Sequence, residues 1–114
     1  MARPKESILE AATQLFGEVG YPGTTMREIA KAVGILAGSL YAHIDSKESL
    51  LLEIVTDAFD PFTRLADYLE HASEPPEVRL RTAIEEHVRA VADSRERTLV
   101  VLHQWRYLTG AQYI

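Results

Sequence analysis

TTMREIAKAVGILAGSLYAHIDSKESL, residues 24–50, spells two short helices joined by a glycine turn, with a third helix launched directly behind them. Thr25 is placed to accept from the backbone N–H of Glu28 while the Glu28 carboxylate reaches back to the Thr25 amide, a capping box ahead of the apolar set Met26, Ile29, Ala30 and Val33. A helix is therefore expected to start at Met26. It is expected to stop at Gly34, which takes the left-handed conformation at no steric cost. Ala30 is small enough for another helix to cross closely over it, and Ile35 follows as a core plug. Leu40 and Ile44, four residues apart, then form the inward side of a second short helix over about residues 37–44. That is helix-turn-helix geometry, in which the second helix lies in a major groove and the first crosses the backbone.

Four pieces of this region stand in register: Gly20-Tyr21-Pro22-Gly23-Thr24-Thr25, Ile29-Ala30 to Gly34, Leu40-Tyr41-Ala42-His43, and Ser46-Lys47-Glu48-Ser49-Leu50. Together they resemble the DNA-binding segment of the TetR family of bacterial repressors over about residues 5–52. The resemblance implies an all-α fold of about six helices. A three-helix, homeodomain-like helix-turn-helix lobe would occupy residues 1–46 and a partial helical regulatory and dimerisation lobe residues 47–114. It also implies a DNA-binding transcriptional regulator, a ligand-responsive repressor that occupies a palindromic operator as a homodimer and answers to a small-molecule inducer. Family members usually carry further helices, two of which make the dimer interface, beyond the length of this chain. Leu99, Val100 and Tyr107 are then expected as apolar residues left exposed.

The residues that would meet DNA follow from position. Tyr41 and His43 flank the inward-facing Leu40 and Ile44 and so point outward, where with Ser39 they offer hydroxyls and a ring nitrogen to base edges. Gly38 lets the backbone come close to the duplex. Lys47 sits in the first turn of the next helix, where free N–H groups and the dipole favour a phosphate, and Thr25 and Arg27 are placed to clamp the other strand. Two departures from the family pattern bear on specificity. Leu36 and Ala37 stand where a hydroxyl and then a basic or polar residue are usual, and Ile44 where an aromatic is usual. Leu36 cannot cap the helix and Ala37 cannot donate to a base or a phosphate, so base reading falls on Ser39, Tyr41 and His43.

With 114 residues there is chain enough for one compact domain or two small lobes sharing a helix, and 46% hydrophobic with 25% charged residues is ordinary for a globular protein. No cysteine is present, so disulfides, zinc fingers and thiol chemistry are excluded. The first residues lack the apolar run of a secretory signal and no stretch is apolar enough to span a membrane, which leads to the expectation of a cytoplasmic protein. The net charge of −5 divides unevenly: residues 1–47 carry five basic and five acidic side chains, and residues 48–114 seven and twelve. A neutral first lobe predicts modest DNA affinity per subunit, with dimerisation making up the difference.

Around this segment the periodicity predicts four more elements. Ile8, Ala12, Leu15, Phe16 and Val19 place a scaffold helix over residues 5–19, with Tyr21 as a packed loop anchor after it. A long helix starts at Asp45 or Ser46 and runs through Pro61 with a kink and without a break. After Pro75-Pro76, a helix to about Ala92 is expected to bury Leu80, Ala83, Ile84, Val88 and Val91. A last helix from Thr98 to about Leu108 is expected to turn Leu99, Val101, Leu102, Trp105 and Leu108 inward.

Phe59, Phe62, His103 and Trp105 are candidates to line an inducer cavity among the last three helices. The HQWRYL segment is similar to lipid- or acyl-thioester-responsive members of the family. Asp67 and His71 stand one turn apart, but no second pair at ligand spacing accompanies them, so no metal and no cofactor is expected. With no phosphate loop, nucleophile elbow or dinucleotide fingerprint, no enzyme is expected either. The competing reading is an acidic helical protein-interaction module that keeps the fold without DNA affinity.

Overall fold

The computed structural model describes residues 4–108, which form six helices: α1 (Pro4–Glu18), α2 (Met26–Val33), α3 (Ala37–Tyr41), α4 (Lys47–His71), α5 (Pro76–Asp93) and α6 (Arg95–Gln104), followed by a 3₁₀ turn at Trp105–Tyr107. The assembly is elongated, 53 × 35 × 23 Å, because α4 runs as one 25-residue helix out of the helix-turn-helix end. Ser46 starts it. Its hydroxyl accepts from the Ser49 N–H at 3.0 Å while Ser49 Oγ accepts from the Ser46 N–H at 3.0 Å, a reciprocal cap. Pro61 lies within the helix and does not divide it.

The core sits at one end. Ile8, Ala12 and Phe16 of α1, Ile29 and Ala30 of α2, Leu40 of α3, Ile44, and Leu50, Leu51 and Ile54 of α4 are buried together, and Val100 and Leu108 join them from α6 and the residue after the 3₁₀ turn. Beyond Ile54 the long helix buries none of its residues. Phe59, expected on its apolar face, is 52% exposed.

Two expectations about α5 and α6 are corrected here. Helix α5 buries no residue at all: Leu80, Ile84, Val88 and Val91 face outward, because the side of α5 turned to α4 carries Ala83, Thr82, Glu86 and Ala90 and nothing covers the opposite stripe among the described residues. Helix α6 begins at Arg95, three residues earlier than the apolar pattern indicates, since Ser94 both ends α5 and starts α6. Its inward face is also rotated. Val100 is fully buried and Gln104 half-buried, while Leu99, Leu102 and Trp105 stay 41%, 63% and 52% exposed. Val100 and the half-buried Tyr107 are thus not part of an exposed apolar surface, whereas Leu99 is. The cause is what α1 presents: Val100 packs over Gly17, where an added Cβ would lie 3.9 Å from Val100 Cγ2.

Candidate nucleic-acid interface

Helix α2 begins as its sequence indicates. Thr25 is extended, and its Oγ1 accepts from the Glu28 N–H at 3.1 Å. The return bond differs from the expected one, for the Glu28 carboxylate takes the Thr25 hydroxyl proton at 3.0 Å. Both partners lie three residues apart on an exposed turn, so the hydroxyl serves as donor and acceptor at once. The helix ends at Gly34, whose φ of 86° is left-handed and whose N–H reaches the Ala30 and Lys31 carbonyls. The Ile35 N–H also returns to the Ala30 carbonyl at 3.0 Å, so the turn is fixed by three bonds to the last turn of α2.

Helix α3 ends at Tyr41, short of the expected residue 44, so His43 and Ile44 lie just beyond it, and it lacks a side-chain cap, as Leu36 requires. Leu40 is fully buried and Ile44 nearly so, which aims the intervening positions outward: Gly38, Ser39, Tyr41 and His43 are all exposed. Gly38 has a specific feature, since a Cβ there would meet nothing within 4 Å. Neither packing nor a left-handed φ requires glycine at this position. Leu36, 79% exposed, projects from the head of the helix. Arg27 is exposed on α2, on the same side of the sequence as the exposed Thr25.

Lys47 lies elsewhere than on an open surface. Its Nζ donates to the Tyr21 carbonyl at 2.8 Å and the Thr24 carbonyl at 3.1 Å, and it stands 4.1 Å from the centre of the Tyr21 ring. An ammonium with three donors thus spends two on the loop between α1 and α2 and adds a cation–π contact. Tyr21 is the packed anchor of that loop, tilted against Phe16 at 5.3 Å and stacked on Tyr107 at 5.4 Å. Burial, with a lesser push from Glu48, raises its phenol above the ordinary value. The clamp on Tyr21 was not legible beforehand, because Lys47 and Tyr21 are 26 residues apart and no local spacing pairs them.

These features define a helix-turn-helix protein: a capped positioning helix, a left-handed glycine turn, and a short second helix held by two buried apolar residues with its polar side free. Residues 8–54 match the family described as bacterial regulatory proteins, tetR family. It is 39% identical over 77 residues, 67% of this chain and 38% of the relative, to the HTH-type transcriptional repressor KstR2 of Mycolicibacterium smegmatis. A TetR-family transcriptional regulator from Bordetella parapertussis superposes with a TM-score of 0.85 at 27% identity, covering 98% of this chain and 58% of that one. AibR, solved in complex with isovaleryl coenzyme A and operator DNA, superposes with a TM-score of 0.77 at 32% identity, covering 96% of this chain and 60% of that one. The chain spans 38% or less of the length of the curated relatives it matches.

Farther along α4, a cavity of about 600 Å³ opens between α4 and α5, lined by Arg64, Leu65, Tyr68, Thr82, Glu86 and Arg89 among others. A second, of about 710 Å³, lies between α1, α4 and the α5–α6 junction. Phe59, Phe62, His103 and Trp105 line neither. The Phe62 ring instead packs 5.0 Å from the His87 ring, and His103 is exposed. The α4–α5 cavity has one aromatic in its lining, Tyr68, beside charged residues and small or aliphatic ones, so aromatic residues in the sequence do not mark it. Asp67, Glu70 and His71 bring ligand atoms within 4.8 Å of one another on the exposed last turns of α4, but His71 Nδ1 lies 2.9 Å from the Asp67 carbonyl of its own helix. No described helix is long and apolar enough to cross a membrane.

Proposed function

We propose that this chain is a cytoplasmic, non-catalytic transcriptional regulator, a repressor that binds a palindromic operator through α3 as a homodimer. The observation that carries the reading is the outward set on α3 and the turn that follows it. Gly38, Ser39, Tyr41 and His43 stand free while Leu40 and Ile44 lock the helix to the core, and Gly38 answers to no need of the fold. Close approach of a duplex supplies the missing reason, since a backbone without Cβ allows contact with base edges or phosphates. Thr25 and Arg27 flank the site from α2, and Lys47 acts on it by holding the loop that presents them, with its backbone N–H at the start of α4 available to a phosphate. The division into a DNA-binding unit at residues 1–46 and a regulatory and dimerisation unit at residues 47–114 belongs to the same proposal.

The cavity between α4 and α5 is the place we assign to an inducer. Arg64 and Arg89 line it, paired at rest with Asp60 at 3.0 Å and Glu86 at 2.6 Å, and exchanging those partners for an anionic group on an otherwise apolar molecule is in keeping with the isovaleryl coenzyme A named for AibR and with a lipid or acyl-thioester class here. Binding would shift the separation of the two reading heads through α4. Titration against the promoter duplex that flanks its own coding region, at two salt concentrations, tests the core of the reading. Tight binding that weakens steeply with salt, and about tenfold or more in Tyr41→Ala, is the expected result.

One observation favours a second reading. Leu36 is a large apolar residue 79% exposed at the head of α3, in a stretch, residues 1–47, with no net charge, and such a tip suits a protein partner. Salt-insensitive capture of a protein, with no DNA binding, would establish it.

A further inference from the structure

Tyr21 is held from two directions that the sequence keeps far apart. From one side Lys47, the first residue of α4, binds its carbonyl and covers its ring. From the other, the Gln104 Oε1 at the end of α6 accepts its backbone N–H at 2.9 Å, and Tyr107 stacks on its ring at 5.4 Å and 18°. The same loop continues into Thr24, which Lys47 also binds, and into Thr25, which caps α2. Thr24 is buried, with its hydroxyl donating to the Gly20 carbonyl at 2.8 Å, so the stretch between Gly20 and Thr25 is tied along its length.

We infer that Gln104, with Tyr107, is a latch by which the second lobe sets the position of the α1–α2 loop and through it the reading head. Gln104 is a positioning residue, acting on α2 and α3 through Tyr21 and not by touching a ligand. Its chemistry fits the task. A neutral amide oxygen satisfies the Tyr21 N–H, which no carbonyl of the loop reaches, and a displacement of the end of α6 draws that oxygen away. The register of α6 follows from this, for a polar residue takes the inward side because the loop presents a donor there, and Val100 one turn earlier fills the space over Gly17. The latch stands on the protein alone. Only its consequence for operator affinity rests on the DNA-binding reading above.

Amide hydrogen exchange and amide chemical shifts of the 114-residue chain, without DNA, test the latch in Gln104→Ala and Gln104→Glu. Removing the acceptor is expected to speed exchange of the Tyr21 amide about fivefold, the loss of one ordinary hydrogen bond, and to shift the amides of Thr25, Ser39 and Tyr41. The amides of α5 should stay as they are, and Gln104→Glu, which keeps an oxygen acceptor, should restore the native pattern. An unchanged Tyr21 amide, or an acceleration spread evenly over α4 and α5, overturns the inference. Where the unsubstituted chain binds the promoter duplex, Gln104→Ala should weaken binding about fivefold with the salt slope retained, because no phosphate contact is lost. Equal affinity would overturn the positioning role, whereas an unsubstituted chain that binds no duplex counts against the DNA-binding reading and leaves the exchange result to decide the latch.

Discussion

Ile29, Leu40 and Leu50 at one end of the molecule lose all of their exposed surface, whereas Leu80, Ile84 and Val88 on α5 keep 63%, 56% and 61% of theirs. The first three stand on α2, α3 and α4 and the others along α5, yet each belongs to an amphipathic helical segment and as sequence they look alike. The difference lies in how many elements converge. Around Phe16 and Leu50 the faces of α1, α2, α3, α4 and α6 meet, so each apolar face has several others to close against. Among the described residues helix α5 packs chiefly against α4, with a smaller contact to α6, and buries none of its own residues. An apolar stripe is a demand for a partner, and its burial depends on what the rest of the fold supplies.

The largest test of this contrast is a pair of truncations. Phe16→Ala should cost about 3–5 kcal/mol in urea or thermal unfolding, as an emptied core site does, while Ile84→Ala on the open stripe should change stability by less than about 0.5 kcal/mol. A concentration-dependent loss in Ile84→Ala would instead show that a second copy covers the stripe in solution. A smaller effect separates the two sides of α6. Val100→Ala should destabilise by about 2 kcal/mol and Leu102→Ala hardly at all, the reverse of what the apolar pattern of that helix indicates. If Leu102 proved the costlier, the rotated face described here would be wrong.

Smaller still are the changes on α3, and these should have opposite effects on fold and binding. Leu36→Ser supplies the missing cap and should stabilise the chain by about 1 kcal/mol. Gly38→Ala should add about 0.5–1 kcal/mol through helix propensity, there being open space for the methyl group, yet weaken DNA binding by crowding the duplex. A Gly38→Ala chain that is stabler and binds DNA equally well would remove the main support for close backbone approach. The smallest effect concerns Lys5, which pairs with Glu53 at 2.7 Å and links α1 to α4. The hydrogen bond to Glu53, then its charge, raises the Lys5 ammonium above 10.5. A raised folded value means that the contribution is complete below the unfolded value near 10.5 and is lost as pH rises through the folded one. Alkaline titration of Lys5→Met against the unsubstituted chain should therefore show a difference that disappears only above that range and that shrinks with added salt.

The reading head was legible to a good depth. Thr25 and Gly34 fixed the two ends of α2, and Ser46 the start of α4, each by bonds that close within five residues. Leu40 within α3 and Ile44 just after it gave the facing of the segment, because both turn to the same core. Legibility stopped where the partner lay far along the chain. Lys47 is expected at a phosphate from its place in the first turn of α4, and nothing near it predicts that two carbonyls and a ring 23 to 26 residues earlier engage its ammonium. The aromatic residues expected around one cavity are dispersed for a similar reason, as Phe59 and Trp105 each keep 52% of their surface exposed and Phe62 packs on His87.

The sequence by itself determined the order of the helices, both ends of α2, the start of α4, the glycine turn and the outward set Gly38, Ser39, Tyr41 and His43, because caps, left-handed glycines and apolar spacing act over one or two turns. Only the tertiary structure decided that α6 turns Val100 and Gln104 inward, that Tyr21 joins α4 to α6, and that α5 leaves its apolar stripe open. A helix cannot encode its own surroundings: which face is buried depends on the shape and the free donors of the surface it meets, and for α6 those were Gly17 and the N–H of Tyr21.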